Sequence, residues 1–238
     1  MNPPKTRLKS KEEIALAYKS EPWWYDVRGF FILTLAYNST LPGQMRVFGP
    51  NFGARHLELA CGTGTLLELL LRWRSWKKLP KVQVVGVDYA EPMLAGARHR
   101  FKGKTGFEFL HADAADMPFS EGEFDTVNIA NAIHCLPDVD GGLRETFRVL
   151  KPDGTLAANA LLYPRGVWPF KGIAQSINDW GIRKGILYTP YTEADVRKRV
   201  LAAGFELVTD SVSGNCYNVV ARKPAAAVKV EGAAAVDA

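Results

Sequence analysis

Between residues 54 and 160, short apolar runs alternate with amphipathic stretches, and this alternation limits the possible folds more than any other feature of the sequence. The apolar runs have the length of strands, and the stretches between them have helical periodicity. Because a strand–helix–strand unit places its two strands parallel with a right-handed crossover, the pattern predicts a parallel sheet covered by helices. We therefore expect an α/β fold.

The predicted sheet has seven strands. Five of them cover residues 56–60, 82–87, 107–110, 126–130 and 156–160. The helices between them cover residues 66–76, 93–101 and 143–150. After a further helix at residues 194–201, which Thr192 would cap, two strands at residues 205–212 and 217–221 are predicted to form a hairpin. The expected sheet is mostly parallel, with helices on both faces and an antiparallel hairpin at its C-terminal end.

The segments around this sheet have a different composition. Residues 1–53 are aromatic-rich and are predicted to form a helical N-terminal cap on the α/β domain, which spans residues 54–223. Residues 162–191, rich in aromatics and glycine, interrupt the domain as an insertion that we expect to act as a lid. Residues 224–238 have little to pack against, so a disordered tail is expected.

Charge and cysteine content argue against several classes of protein. The chain has 238 residues and a formal net charge of +5, but its basic residues are scattered, so no nucleic-acid partner is expected. The three cysteines are far apart and lack metal-ligand spacing, which argues against disulfides and a metal site. Residues 1–13 are polar, and the apolar run at residues 30–36 is too short to span a bilayer. We expect a cytoplasmic monomer or homodimer without integral membrane association.

A loop with two glycines follows the first predicted strand. Gly62 and Gly64 lack a Cβ, which lets backbone amides approach a ligand, although such a loop alone is also compatible with a plain tight turn. Asp88 ends the second strand, and Asp113 follows the third. The first acid can accept hydrogen bonds from both hydroxyls of a ribose, and the second can accept a hydrogen bond from an adenine amino group. Acids in this order at successive strand ends favour a nucleoside ligand.

Together these motifs resemble the class I, Rossmann-like S-adenosylmethionine-dependent methyltransferases. The similarity is greatest to the group that contains ubiquinone/menaquinone C-methyltransferases, also called methyltransferase type 11. It extends from about Arg55 to Ala160 and rests on residues 57–64, 85–94, 112–119, 124–127 and 148–155. The resemblance implies a Rossmann-like methyltransferase domain and S-adenosylmethionine as the cofactor.

The resemblance assigns residues to the methionine end of this cofactor. Glu58 and the backbone of Ala60, Gly62 and Gly64 would face the methionine portion, and Asn131 would lie near the sulfonium. Ala60 stands where the family usually has its first glycine, which narrows the expected pocket without abolishing it.

Other residues are assigned to the adenosine end. Asp88 would hold the ribose, Tyr89 and Met93 would pack near the adenine, and Asp113 and Ala114 would meet the adenine edge.

Two further observations concern the cofactor. By the same resemblance, Tyr25 in the N-terminal cap would close over it. A dinucleotide dehydrogenase is the nearest alternative, but it would want another glycine where this chain has Leu66 and Leu67.

The acceptor is less constrained. His134, just after the fourth strand, is the best-placed candidate for a catalytic base; the alternative is a structural role as a cap or pocket wall. Trp23, Trp24, Trp168 and Trp180 lie in the cap and the insertion, where they favour a flat or lipophilic acceptor or simply pack the lid onto the sheet.

The predicted function is transfer of a methyl group from S-adenosylmethionine to an oxygen, nitrogen or carbon atom of a small aromatic or lipophilic acceptor. Two alternatives remain at this point: a protein or RNA methyltransferase, and a catalytically silent partner subunit that binds S-adenosylmethionine.

Overall fold

The fold comes from a computed structural model that describes residues 40–165, 170–184 and 190–225. Tyr25 and the rest of the predicted N-terminal cap up to residue 39 lie outside these described residues. The same holds for Trp168 in the insertion and for the tail from residue 226.

The described residues form one seven-stranded sheet with the order β3-β2-β1-β4-β5-β7-β6. Its strands are β1 (Arg55–Leu59), β2 (Gln83–Asp88), β3 (Phe107–His111), β4 (Phe124–Ile129), β5 (Leu150–Leu161), β6 (Glu206–Ser213) and β7 (Cys216–Arg222). The first five pair in parallel, and β7 pairs antiparallel with β5 and β6. The predicted seven strands and the C-terminal hairpin are thus confirmed.

Helices cover both faces of the sheet. They are α1 (Leu41–Phe48), α2 (Thr65–Trp76), α3 (Glu91–Arg100), α4 (Val139–Val149), α5 (Phe170–Lys184) and α6 (Glu193–Ala202), with a short 3-10 helix at Ile133–Cys135. No helix within the described ranges is long and apolar enough to cross a bilayer. Thr192 caps α6 as predicted, in a capping box with Asp195.

Two elements, α4 and β5, begin well before the residues at which their sequence pattern predicts them to start. Helix α4 starts at Val139 because the Asp138 side chain accepts a hydrogen bond from the Gly141 amide. The periodicity missed this first turn because glycine is a weak helix former. Strand β5 starts at Leu150, which pairs with Phe124 before an irregularity in the register.

The central strands have an apolar face and a polar face. On the apolar face, the side chains of Leu57, Val127 and Leu156 are fully buried in a cluster that also contains residues of α4 and α6. The opposite face is covered by α1 and α2, which bury a smaller apolar cluster there that includes Phe48, Leu67 and Val84; it is called the polar face because the strands also bury several polar side chains on it. From the strands these are His56, Glu58, Thr126, Asn128, Asn159 and Asn218. The register aligns His56 with Thr126 and Glu58 with Asn128, so these groups form rows across the sheet.

Candidate functional site

The loop between β1 and α2 has a left-handed backbone at three of its residues. Ala60, Gly62 and Gly64 have φ angles of 55°, 56° and 73°. Only glycine adopts this conformation without strain, so Ala60 takes up the geometry of the glycine it replaces at a cost of about 1–2 kcal/mol. The loop then runs into the N-terminus of α2, where Gly64 provides no side-chain cap. Its amides are therefore suited to a polar or anionic ligand group.

Asp88, at the carboxyl end of β2, fixes this loop. One carboxylate oxygen accepts a hydrogen bond from the Gly62 amide at 2.8 Å, and the other accepts one from the Ala90 amide at 2.8 Å. Burial raises the pKa of Asp88, and the hydrogen bonds from Ala90 and Gly62 partly counteract this rise. A carboxylate offers about four acceptor positions. The backbone amides, Tyr89 included, do not use all of these positions, so the arrangement fits a carboxylate that also accepts a hydrogen bond from a ribose hydroxyl.

Residues assigned to the adenine surround the ends of β2 and β3. His111 is the last residue of β3, not part of a turn as its sequence context suggests, and it is aligned with Asp88. Its ring donates to the Tyr89 carbonyl at 2.8 Å and lies 5.1 Å from the Tyr89 ring. Met93 is buried in α3. Tyr89 thus lies directly after the end of β2, and Met93 lies in the first turn of α3. Their contact with adenine stays a prediction.

Asp113 and Ala114 follow β3 at the same edge of the sheet. Asp113 forms an isolated bridge with Asp116, and its carboxylate accepts a hydrogen bond from the Ala115 amide at 3.0 Å. Ala114 packs against the apolar cluster. The turn thus holds the Asp113 carboxylate in a defined orientation, as an adenine contact would require.

Two acidic side chains near the loop influence the pKa of the Cys61 thiol. Burial raises its pKa well above the ordinary value, and the carboxylates of Asp88 and Glu58 raise it further. Both acids are therefore close enough to this loop to act on it by their charge. A thiol with a raised pKa stays protonated and is a poor nucleophile.

Glu58 lies on the polar face beneath this loop. It is 3% exposed, and its Oε2 lies 3.2 Å from His56 Nε2 and accepts a hydrogen bond from Asn128 Nδ2 at 3.3 Å. The His56 ring stacks on Phe52 with 4.0 Å between the centroids. Burial lowers the pKa of His56, although the neighbouring carboxylate of Glu58 raises it in part. The His56 ring is therefore neutral near pH 7.

Asn131, the residue assigned to the sulfonium, is tied to two other elements. Its backbone is left-handed, with a φ of 57°, and its amide donates to the Asn159 side chain at 2.5 Å. Its side chain exchanges hydrogen bonds with Gln44 of α1 at 3.0 and 3.1 Å, and Asn159 donates to it at 2.9 Å. The sequence reasoning missed both partners. A polar residue in the apolar run 156–160 was the signal for Asn159, whereas nothing in the sequence singled out Gln44.

His134, the candidate base, is buried in the 3-10 helix and is 4% exposed. Its Nδ1 accepts a hydrogen bond from the Leu161 amide at 3.2 Å, so the ring is neutral with its proton on Nε2. Burial lowers the pKa of His134 to about 3. An imidazole with this pKa is a weak base. These observations favour the structural alternative, and a catalytic role for His134 stays a prediction.

The insertion starts and ends at the carboxyl end of β5, where Leu162 and Tyr191 form a bridge. Within it, Ala174 and Asn178 are buried residues of α5. The Asn178 side chain is 1% exposed, and neither its nitrogen nor its oxygen has a hydrogen-bond partner among the residues that the structure describes. A buried amide without a partner costs about 1–3 kcal/mol, so this group calls for an explanation. As for metals, the described ranges contain no group of three His, Cys, Asp or Glu side chains that could hold an ion.

Comparison with known proteins gives two kinds of match. A family described as a methyltransferase domain matches residues 57–158. Demethylmenaquinone methyltransferase of Thermus thermophilus is 45% identical over 104 residues, which are 43% of this chain and 44% of that protein. The enzyme of the same name from Clavibacter sepedonicus is 39% identical over 111 residues, 47% of this chain and 42% of that protein. The match thus spans less than half the length of these relatives.

Among solved structures, an S-adenosylmethionine-dependent methyltransferase from Aquifex aeolicus superposes with a TM-score of 0.62. The match covers 86% of this chain and 100% of that one at 20% sequence identity. At this identity the likeness concerns the fold, and it extends well beyond the segment that the sequence matches cover.

Proposed function

Because residues 57–158 match a family described as a methyltransferase domain, we propose that the chain is a class I, Rossmann-like methyltransferase that transfers a methyl group from S-adenosylmethionine to a small lipophilic acceptor. The observation that carries this proposal is the position of Asp88. Its carboxylate is held by the amides of Gly62 and Ala90 at the end of β2, and it still has acceptor positions to offer. This matches the chemistry of a ribose, and the left-handed loop beside it suits the rest of the cofactor.

In the proposed reaction, S-adenosylmethionine supplies a methyl group on a positively charged sulfur. Asp88 accepts hydrogen bonds from the ribose hydroxyls, and Asp113 accepts one from the adenine amino group. The loop from Ala60 to Gly64 borders the methionine portion, and Glu58 faces its ammonium. The chain's main contribution is to align an acceptor opposite the C–S bond and to exclude water, so that a bond to the methyl carbon forms as the electron pair passes to sulfur.

For the acceptor, we propose a quinol or a related flat aromatic molecule. The support comes from the relatives, whose name specifies demethylmenaquinone, and from the insertion that leaves the sheet at the carboxyl end of β5. Asn178 in α5 carries an amide that could donate to and accept from the oxygens of such a ring. The low pKa of His134 supports a mechanism in which alignment, not a general base, dominates.

A nucleic-acid acceptor is less well supported. RNA and DNA amine methyltransferases use an Asn/Asp-Pro-Pro-Tyr-type motif after strand four, where this chain has residues 128–131. Asn128 is fully buried and bonded to Glu58, and the Asn131 side chain is bonded to Gln44 and Asn159. Neither amide is available to hold a base without breaking these contacts.

The experiment is a methyl-transfer screen with methyl-labelled S-adenosylmethionine against quinols, phenols and aromatic amines. We expect label in a quinol product with wild-type protein and its loss in Asp88→Ala. Exposed Glu108 gives the matched control, since Glu108→Ala removes an acid from the neighbouring strand without touching the loop. Label in protein or RNA but in no small molecule would overturn the proposal.

A further inference from the structure

We infer that His56 is a positioning residue for Glu58: together with Thr126 it holds the Glu58 carboxylate so that one oxygen stays open for the ammonium group of a methionine-containing ligand. This inference rests on the proposed function. It concerns a residue two positions before Glu58, on strand β1 and not in the loop itself.

The first support is the direction of the hydrogen bonds at His56. The Thr126 hydroxyl oxygen accepts a hydrogen bond from the Gly53 amide at 2.8 Å and lies 2.8 Å from His56 Nδ1. An ionised carboxylate can only accept, so the Glu58 carboxylate beside Nε2 favours the tautomer in which the Thr126 hydroxyl donates to His56 Nδ1. A neutral imidazole that accepts at Nδ1 carries its proton on Nε2, which is 3.2 Å from Glu58 Oε2. His56 therefore donates to Glu58.

A second branch reaches the same carboxylate oxygen. Thr155 Oγ1 donates to Asn51 Oδ1 at 2.5 Å, and Asn51 Nδ2 donates to Asn128 Oδ1 at 2.9 Å. Asn128 Nδ2 then donates to Glu58 Oε2 at 3.3 Å. This orientation of the amides is required, because Asn51 Nδ2 also donates to the Val127 carbonyl at 2.9 Å. Both branches thus end as donors on Glu58.

Both donors reach the same oxygen of the Glu58 carboxyl group, Oε2. Glu58 Oε1 receives no hydrogen bond from the described part of the chain, and it is not a fully enclosed atom that lacks a partner. A carboxylate accepts hydrogen bonds on both oxygens, so Oε1 is suited to accept one from a cation such as an ammonium group.

Packing alone does not explain a histidine here. His56 is 0% exposed and stacks on Phe52, a role that leucine or phenylalanine would fill without a desolvated imidazole. Buried polar networks are often no more stable than apolar replacements. The structure therefore assigns the His56 ring to Glu58 and not to the stability of the sheet.

The test compares two ligands by calorimetry. S-adenosylhomocysteine carries the amino-acid end with its ammonium, whereas 5′-methylthioadenosine lacks that end but keeps the adenosine. For His56→Leu we expect about 10- to 100-fold weaker binding of S-adenosylhomocysteine, as for the loss of a charge-assisted hydrogen bond, and less than about a 3-fold change for 5′-methylthioadenosine. His56→Gln, which keeps a donor, should recover most of the loss. His99→Gln, which changes an exposed histidine of α3, is the matched control.

Glu58→Gln should show the same selective loss, and adding His56→Leu to it should change the ratio of the two affinities little, because both act through one carboxylate. Equal losses for both ligands, or no loss for either, with wild type binding normally, would overturn the inference and leave the proposed function intact. A wild type that binds neither ligand would contradict the proposed function itself. Thermal unfolding of each variant shows whether it is folded, and Glu58→Gln carries the test should His56→Leu not fold.

Discussion

The two faces of the central strands share one backbone but differ in what they bury. On the apolar face Leu57 and Val127 pack among other hydrocarbon side chains, whereas one residue along each strand His56 and Thr126 are joined by a hydrogen bond on the polar face. Apolar burial is non-directional and tolerates many arrangements. Buried polar groups require a defined partner for each atom. The apolar face therefore accounts for stability, and the polar face accounts for the position of the groups that border the loop.

The polar face is also where α1 is attached. Gln44 reaches from α1 to Asn131 just after the end of β4, and Asn51, after α1, reaches Asn128 within β4 and Thr155 in the middle of β5. The segment that precedes the sheet is thus joined to the carboxyl edge by side-chain amides. A change on this face should alter ligand binding before it alters stability, and the reverse should hold for the apolar face.

The largest expected effect on stability is on the apolar face. Leu57→Ala removes a fully buried side chain and should lower the free energy of unfolding by about 2–5 kcal/mol while leaving the affinity for S-adenosylhomocysteine within a few-fold. Urea denaturation and calorimetry measure the two quantities. Leu201→Ala, at an exposed position of α6, is the control and should change stability by less than about 0.5 kcal/mol. If Leu57→Ala lowered the free energy of binding by more than the free energy of unfolding, the two faces would not have the separate roles described above.

The second effect concerns pH and sharpens the comparison, because His134 is a buried imidazole beside the apolar cluster. The folded protein keeps it neutral down to a pKa of about 3, whereas the unfolded chain takes up a proton below about pH 6.5. Its contribution to stability is therefore fully present above pH 6.5 and is lost as the pH falls. Between pH 6.5 and 5 wild type should lose about 2 kcal/mol that His134→Gln does not lose.

Denaturant titrations at several pH values check this slope. His99→Gln, which removes a solvent-exposed imidazole, is the matched variant and should follow wild type. Parallel curves for wild type and His134→Gln would mean that the ring is not held neutral.

The smallest effect concerns Asn178, which belongs to neither face. Replacing a buried amide that has no partner by leucine should raise the free energy of unfolding by about 1 kcal/mol. If the amide is kept for the acceptor, the same change should raise KM for a quinol and leave the affinity for S-adenosylhomocysteine unchanged. Ser176→Leu, exposed on the same helix, is the control. A destabilised Asn178→Leu with unaltered KM would show that the amide serves the fold.

The sequence predicted those parts of the site that are local to one strand end. Gly62, Gly64 and Asp88 each follow or end an apolar run, so their meeting at one edge follows from parallel strands alone. The Thr192 cap was equally local. By contrast, Thr126 meets His56 across 70 residues of chain, and Asn131 meets Gln44 across 87. Such pairs depend on register and on the docking of α1, neither of which periodicity specifies.

His56 shows why the sequence alone undervalued the polar face. His56 lies at the start of a predicted strand, away from the strand ends and the glycine loop that the motifs single out. The pleat places it on the same side as Glu58, two residues further on, and in register with Thr126. Its importance became visible only with the neighbouring strand in place.

The measurement that tests the account most directly is calorimetric titration of S-adenosylmethionine into wild type, Asp88→Ala and the control Glu108→Ala. We expect micromolar or tighter binding by wild type and Glu108→Ala. Because two charge-assisted contacts to the ribose hydroxyls are lost, Asp88→Ala should bind at least about 100-fold more weakly. Absence of binding by wild type at micromolar concentrations, or undiminished binding by Asp88→Ala, would contradict the account.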